Sequence, residues 1–206
     1  ASSLVGSEMC IRDRVKDFGF HNEKIHVVFT DNGKFECDKV VITAGIWSKN
    51  LMRKLGLKIP LEAERGYHVV YKNASILPRN PMMMTIGKFG VTPMKGDLRC
   101  AGTVELGGIK IGPSQGPIKL LRRRVAEAFP KMTYDKTEEW LGFRPTAPDS
   151  LPLIGQLKES GVYTAFGHQH IGMTSGPKTG RLISDIINYR SPNINMSFYD
   201  PNRFNS

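Results

Sequence analysis

The run Gly167-His168-Gln169-His170-Ile171-Gly172-Met173-Thr174-Ser175-Gly176-Pro177-Lys178-Thr179-Gly180 constrains the fold more than any other stretch of the chain. An apolar segment, Val162-Tyr163-Thr164-Ala165-Phe166, leads into it and has the make-up of a buried strand. Beyond it, Leu182, Ile183, Ile186 and Ile187 recur at spacings of three and four, which predicts an amphipathic helix from Pro177 to Tyr189. Thr174 or Ser175 suits the N-cap, and Pro177 suits a first turn where a missing N–H costs nothing. A glycine-rich turn that feeds a helix N-terminus presents free N–H groups and the positive end of the helix dipole. Such a place can hold a phosphate, a carboxylate or the anionic edge of a cofactor. The same residues also serve an ordinary strand-to-helix reversal, and spacing by itself allows both.

Composition narrows the class. The 206 residues are 40% hydrophobic and 23% charged, the make-up of a soluble globular chain, and no apolar run approaches the length of a membrane span. Cys10, Cys37 and Cys100 are far apart and form no CxxC pair, so neither a disulfide scaffold nor a zinc site is expected. Twenty-nine lysines and arginines against 19 acids give a net charge of +10. The basic residues are scattered apart from Arg122-Arg123-Arg124, which lies among Ile118, Leu121, Val125 and Phe129 at helical spacing and reads as a solvated helix face. With no nucleic-acid module in the pattern, a nucleic-acid partner is not expected, whereas a weak attraction to acidic lipids is compatible with the charge. His168 and His170 lack the remaining ligands of a metal set.

Along the chain, residues 1–14 show neither helix nor strand period and no apolar signal-peptide core, and read as a segment foreign to the fold. Ile25, Val27 and Phe29 alternate with polar partners, Asp31-Asn32-Gly33 supplies a turn, and Phe35 and Cys37 alternate on the return, predicting a hairpin. Val40-Val41-Ile42-Thr43 reads as a buried parallel strand ending at Ala44-Gly45, followed by a helix from Trp47 that Gly56 stops. Between Pro60 and Gly108, strands over 65–71, 82–86 and 98–103 without intervening helices predict an antiparallel sheet. A helix from Pro117 to Phe129 follows.

The stretch Trp140-Leu141-Gly142-Phe143-Arg144-Pro145-Thr146-Ala147-Pro148-Asp149-Ser150-Leu151-Pro152-Leu153-Ile154-Gly155, read together with the 167–180 run, resembles the C-terminal signature of the FAD-dependent amino-acid oxidoreductases of the D-amino-acid oxidase superfamily. The D-amino-acid dehydrogenase branch is the most similar, and the resemblance runs from the Asp31-Asn32-Gly33 turn to Phe204. It implies an α/β plus antiparallel β fold, in which the C-terminal part of a Rossmann-like FAD-binding domain is interleaved with a mainly antiparallel substrate domain. The implied division is 15–60 and 149–206 for the FAD side and 61–148 for the substrate side. The family opens with a G-x-G-x-x-G turn, which this chain does not contain, so it looks like the C-terminal half of an enzyme and is expected to be inactive alone.

The resemblance also implies roles. Arg144 matches the arginine that binds the substrate carboxylate, and Tyr67 and His68 fall where pocket residues stand, the first for the carboxylate and the second for the amine. Ala44, Gly45 and Trp47, with Gly167, His168, Gly172, Met173 and Thr174, match positions against the flavin. The implied reaction is oxidative deamination of a D-amino acid, with hydride passing from Cα to the flavin and electrons to a quinone-type acceptor, in the cytoplasm or at the inner face of the cytoplasmic membrane. The alternatives are an oxygen-using oxidase of glycine or sarcosine type and, from another class, a non-catalytic basic interaction module.

Overall fold

The computed structural model describes residues 13–204. The chain divides into two compact units, one formed by Ala1–Leu61 with Thr146–Ser206, the other by Glu62–Pro145. The segment 1–14, read above as foreign to the fold, lies mostly outside the described residues. Arg14, at its end, accepts a hydrogen bond from the Asp31 N–H at 3.0 Å.

The first unit holds two three-stranded sheets. In one, β1 (Val15–His21), β2 (Lys24–Thr30) and β3 (Lys34–Glu36) form an antiparallel meander. The second hairpin turns at Asp31-Asn32-Gly33 as expected, with Thr30 N–H bonded to the Gly33 carbonyl. The buried face differs from the expected alternation: Ile25 and Val28 are buried while Phe29 is exposed. The cause is a bulge. Phe20 pairs with Ile25 and Gly19 with Val27, so His26 is an extra residue and the strand's faces exchange after it. β1, absent from the sequence reading, is joined to β2 through Asn22 and Glu23, both at positive φ.

In the other sheet, β11 (Val162–Phe166) lies between β10 (Leu153–Gln156) and β4 (Val40–Ile42), antiparallel to the first and parallel to the second. After β4 a 3₁₀ turn at Gly45–Trp47 leads into α1 (Ser48–Lys54), and Gly56 follows at φ 77°. α3 (Gly172–Ile187) packs Leu182 and Ile183 against Ile154 and Tyr163. It begins five residues before Pro177, so Ile171 rather than Thr174 or Ser175 is the N-cap, and the proline sits inside the helix. Its missing N–H leaves the Met173 carbonyl without its intrahelical partner.

The second unit is a five-stranded sheet in the order β6-β7-β8-β5-β9, with one helix on it. β5 (Glu62–Tyr71), β6 (Met82–Met84), β7 (Phe89–Pro93) and β8 (Leu98–Leu106) pair antiparallel where they meet, and β9 (Thr137–Thr146) flanks β5. α2 (Gln115–Ala128) buries Ile118, Leu121 and Val125 against Tyr67, Val69, Tyr71, Leu98 and Cys100. Burial of this sort contributes roughly 1.5–3 kcal/mol per large apolar side chain. Cys37 and Cys100 are free thiols, and no helix among the described residues is long and apolar enough to cross a membrane.

Candidate functional site

In the first unit the parallel pair sets the geometry. Val40 pairs with Val162 and Ile42 with Thr164, so β4 and β11 end side by side. The loops after their carboxyl ends, 43–45 and 167–171, therefore emerge at the same edge, where open α/β sheets take ligands. Gly45 and Gly167 both have positive φ, 54° and 90°, which a side chain would strain. A cavity of about 760 Å³ is lined by Thr43, Ala44, Gly45 and Trp47 together with Asp13 and Arg14. A second, of about 290 Å³, is lined by Thr43, His168, Gly172, Gly176 and Thr179. Thr43 borders both.

His168 is fixed by the helix that follows it. Its Nε2 lies 2.9 Å from Thr179 Oγ1, and its backbone bridges Thr146. Burial lowers its pKa, which keeps the ring neutral. Gly172, Met173 and Thr174 form the first turn of α3, where N–H groups have no intrahelical acceptor. Met173 is fully exposed and lines neither cavity. The structure thus gathers Ala44, Gly45 and Trp47 at one cavity and His168 and Gly172 at its neighbour. Lys178 points outward to Asn193. Asp149 accepts from two nitrogens of Arg203, Nε at 2.7 Å and Nη2 at 3.2 Å, and so is not a partner of Arg144.

In the second unit strand alternation decides which predicted residues can meet. Tyr67 faces α2, whereas Gly66 and His68 point to the opposite face of the sheet. The Tyr67 hydroxyl donates to Glu105 Oε2 at 2.7 Å and accepts from the Ser114 N–H at 3.1 Å. The Tyr67 bond first, and then a bond from the Ser114 side chain, hold the Glu105 carboxyl below the usual range. The phenol is 2% exposed with its proton committed, so the structure does not bring Tyr67 beside Arg144. Adjacent strand residues cannot share a face, which is the physical reason. Arg65, also buried, ties the same side together through the Gly107 and Gly112 carbonyls, with Nε 3.2 Å from Glu105.

On the open face, Arg144 lies across β5. A side-chain carbon built on Gly66 would come within 2.9 Å of Arg144 Cζ, so the guanidinium occupies the space a larger residue would fill. Among the described residues no carboxylate pairs with Arg144. His68 stacks on Trp140 with centroids 4.7 Å apart, and its Nδ1 is 3.2 Å from Arg99 Nη2. Burial, then the Arg99 charge, lowers the His68 pKa from 6.5 to about 4. Arginine only donates, so Nδ1 accepts and the neutral ring carries its proton on Nε2. His68 therefore offers an N–H donor on the sheet face that also carries Arg144.

Sequence reasoning missed Gly66, Arg99, Trp140 and Thr43. Period-two alternation was the available signal for two of them: Trp140, Gly142 and Arg144 share a face of β9, and Arg99 falls between buried Leu98 and Cys100.

The chain superposes on the glycine oxidase structure from Geobacillus kaustophilus with a TM-score of 0.80 at 24% identity, over 93% of this chain and 52% of that one, a likeness of fold. The chain belongs to the FAD dependent oxidoreductase (DAO) family, whose sequence profile matches residues 6–186, beginning within the segment set aside above. It is 34% identical to a D-amino-acid oxidase of Bradyrhizobium diazoefficiens over 207 residues, 98% of this chain and 49% of that protein. It is 32% identical to a D-amino acid dehydrogenase of Vibrio vulnificus, over 88% of this chain and 44% of that protein. To a glycine oxidase of Pseudomonas aeruginosa it is 30% identical, over 87% and 50%. The chain spans about half the length of these relatives. FAD is the cofactor of the family, and the glycine-lined edge of the first unit fits it: Gly45 has open space where a side chain would stand.

Proposed function

We propose that this protein carries out FAD-dependent oxidative deamination of amino acids, D-amino acids foremost, to a keto acid and ammonia. The observation that carries the proposal is the Arg144 guanidinium, unpaired among the described residues and laid over Gly66. A planar fork of this kind receives a carboxylate bidentately and stays charged at any working pH. His68 Nε2–H directs a second hydrogen bond to the substrate, and the stacked His68–Trp140 pair gives it a flat apolar support. The α-amine enters neutral, so no side-chain base is required.

In this reading the unit Glu62–Pro145 binds the substrate and the other unit binds FAD. FAD, when bound, supplies the acceptor for the hydride that leaves Cα. Ala44 and Gly45 allow close approach of the backbone, and the N–H groups of Gly172, Met173 and Thr174 stabilise negative charge at the positive end of α3. We assign a quinone-type acceptor and a place in the cytoplasm, at the inner face of its membrane, with the basic excess favouring acidic lipids. The glycine oxidase relatives support a second reading, in which oxygen is the acceptor.

The 206 residues hold no G-x-G-x-x-G turn, so we expect the chain alone to show no turnover. The test is a flavin titration of the chain alone and mixed with a family-derived N-terminal half carrying that turn. Binding with D-amino-acid-dependent bleaching only in the mixture, lost in Arg144→Ala, supports the proposal. No binding in either case, with the chain folded, moves the assignment to a basic interaction module. Reoxidation by a quinone analogue in preference to oxygen separates the two acceptors.

A further inference from the structure

The open face of the five-stranded sheet carries a second cation that the reaction as described does not use. Arg99 stands on β8 between Leu98 and Cys100, both buried toward α2, so its side chain leaves on the face that holds His68, Trp140 and Arg144. It touches His68 Nδ1 at 3.2 Å, and among the described residues no carboxylate pairs with it. Three arginines of this unit meet acids, Arg65 with Glu105, Arg122 with Glu139 and Arg123 with Glu127, while Arg79 and Arg124 show no ion pair among the described residues; what sets Arg99 and Arg144 apart is that they share the sheet face with His68 and Trp140. Two half-buried guanidinium groups on one face, with no anion between them, repel each other and raise the local affinity for anionic ligands.

Their spacing is set by the strand. Arg144 lies over Gly66 and Arg99 reaches the ring of His68, and these two anchor positions on β5 are two residues, about 7 Å, apart. A short carbon chain with a carboxylate at each end fits that interval, with one fork on each end and the His68–Trp140 pair beneath the link. We infer that the preferred substrate carries a second carboxylate, held by Arg99 while Arg144 holds the first: an acidic amino acid or an N-carboxyalkyl amine. The inference rests on the assignment of Arg144 to the substrate carboxylate. A competing surface lies on the other side of Arg144, where exposed Val104 pairs with Gly66 and would suit an apolar side chain.

Trp140 reports on this face. With Trp47 replaced by Phe, the remaining tryptophan fluorescence of the chain is titrated with D-aspartate, D-glutamate, iminodiacetate and D-norvaline at constant ionic strength. The diacids are expected to bind about 10-fold more tightly than D-norvaline. Because Arg99 also orients the His68 ring, the readout is the ratio of affinities: Arg99→Gln should bring the diacid-to-D-norvaline ratio to about one, and Arg99→Lys should retain part of the preference. Equal binding of D-norvaline, or an Arg99→Gln loss shared by every probe, overturns the inference. If those outcomes come with Arg144→Gln abolishing all binding, the proposed function still stands. A chain folded by circular dichroism that binds none of the probes sinks both.

Discussion

Arg144 rests on Gly66: a carbon added to the glycine would meet Arg144 Cζ and Nη2 at 2.9 Å. The contact joins the most diagnostic residue of the GFRP stretch to a glycine 78 positions earlier, on the neighbouring strand. It converts a flexible side chain into a fork of fixed plane, as carboxylate recognition requires.

Gly66→Ala should therefore separate binding from stability. Gly66 does not need positive φ, and the group that must move is the end of a long side chain, so the unfolding free energy should change by less than about 1 kcal/mol. Carboxylate binding should fall about 10-fold or more, because the displaced guanidinium loses its orientation. Chemical denaturation and probe titration on the same preparation check this. A matching fall in stability would make the contact one of packing instead.

Gly102→Ala is the control with the opposite outcome. Here an added carbon meets backbone, the Lys88 carbonyl oxygen at 2.8 Å and Phe89 Cα at 2.5 Å. Gly102 is the extra residue of the β8 bulge, since Tyr67 pairs with Thr103 and His68 with Ala101. Neither strand can yield cheaply, so the substitution should cost about 2 kcal/mol or more, read as a lower denaturation midpoint. A neutral result would show that β7 and β8 are looser than their spacing implies.

His68 should titrate near pH 4 by NMR, well below the ordinary 6.5. A histidine depressed in the folded state stays neutral while the unfolded chain takes up a proton. Its contribution to stability is therefore whole above about pH 6.5 and is lost as the pH falls from there through about 4. Burial is the larger cause and the Arg99 charge the smaller. Arg99→Gln should then move the midpoint upward without restoring it to 6.5. A complete return would reverse that order of causes.

Much of this was legible in the sequence, and each failure has its own physical cause. The Asp31-Asn32-Gly33 turn, β4, α1, β11 and the apolar stripe of α3 follow from local chemistry, which neighbours do not override. β7 was not, because Gly90 and Pro93 give its five residues the look of a loop. The buried face of β2 was misread because a bulge at His26 leaves no mark in a period-two pattern. The start of α3 was misplaced because Pro177 resembles an N1 residue and the true cap, Ile171, carries no capping side chain. At the candidate site, Arg144 was visible through its motif, whereas Gly66 and Arg99 matter only through partners on other strands. The resemblance puts Tyr67 and His68 together in the pocket, yet a strand sends neighbours to opposite faces.

Arg203 gives the last prediction, on the tail that closes the first unit. Its guanidinium grips Asp149 through two nitrogens and also donates to the carbonyls of Leu151, Pro152 and Asp200. It therefore pins the Asp149–Pro152 segment to the last turn of the chain, with only 15% of its side chain exposed. Arg203→Ala leaves a carboxylate and three carbonyls short of a donor and should cost about 2–3 kcal/mol at neutral pH. Asp149→Asn keeps the carbonyl bonds and should cost less. The two losses should not add in the double variant, since they remove one shared interaction. Burial pushes the Asp149 carboxyl up, but the Arg203 bond, the Leu151 N–H and the Arg203 charge bring it below the usual range. A depressed carboxylate contributes stability above its unfolded pKa of about 3.9 and loses it as the pH falls through the lower folded value. Wild-type denaturation midpoints should thus decline on the acid side more steeply than those of Asp149→Asn. Parallel acid limbs for the two proteins would show that the pair anchors the tail by packing rather than by charge.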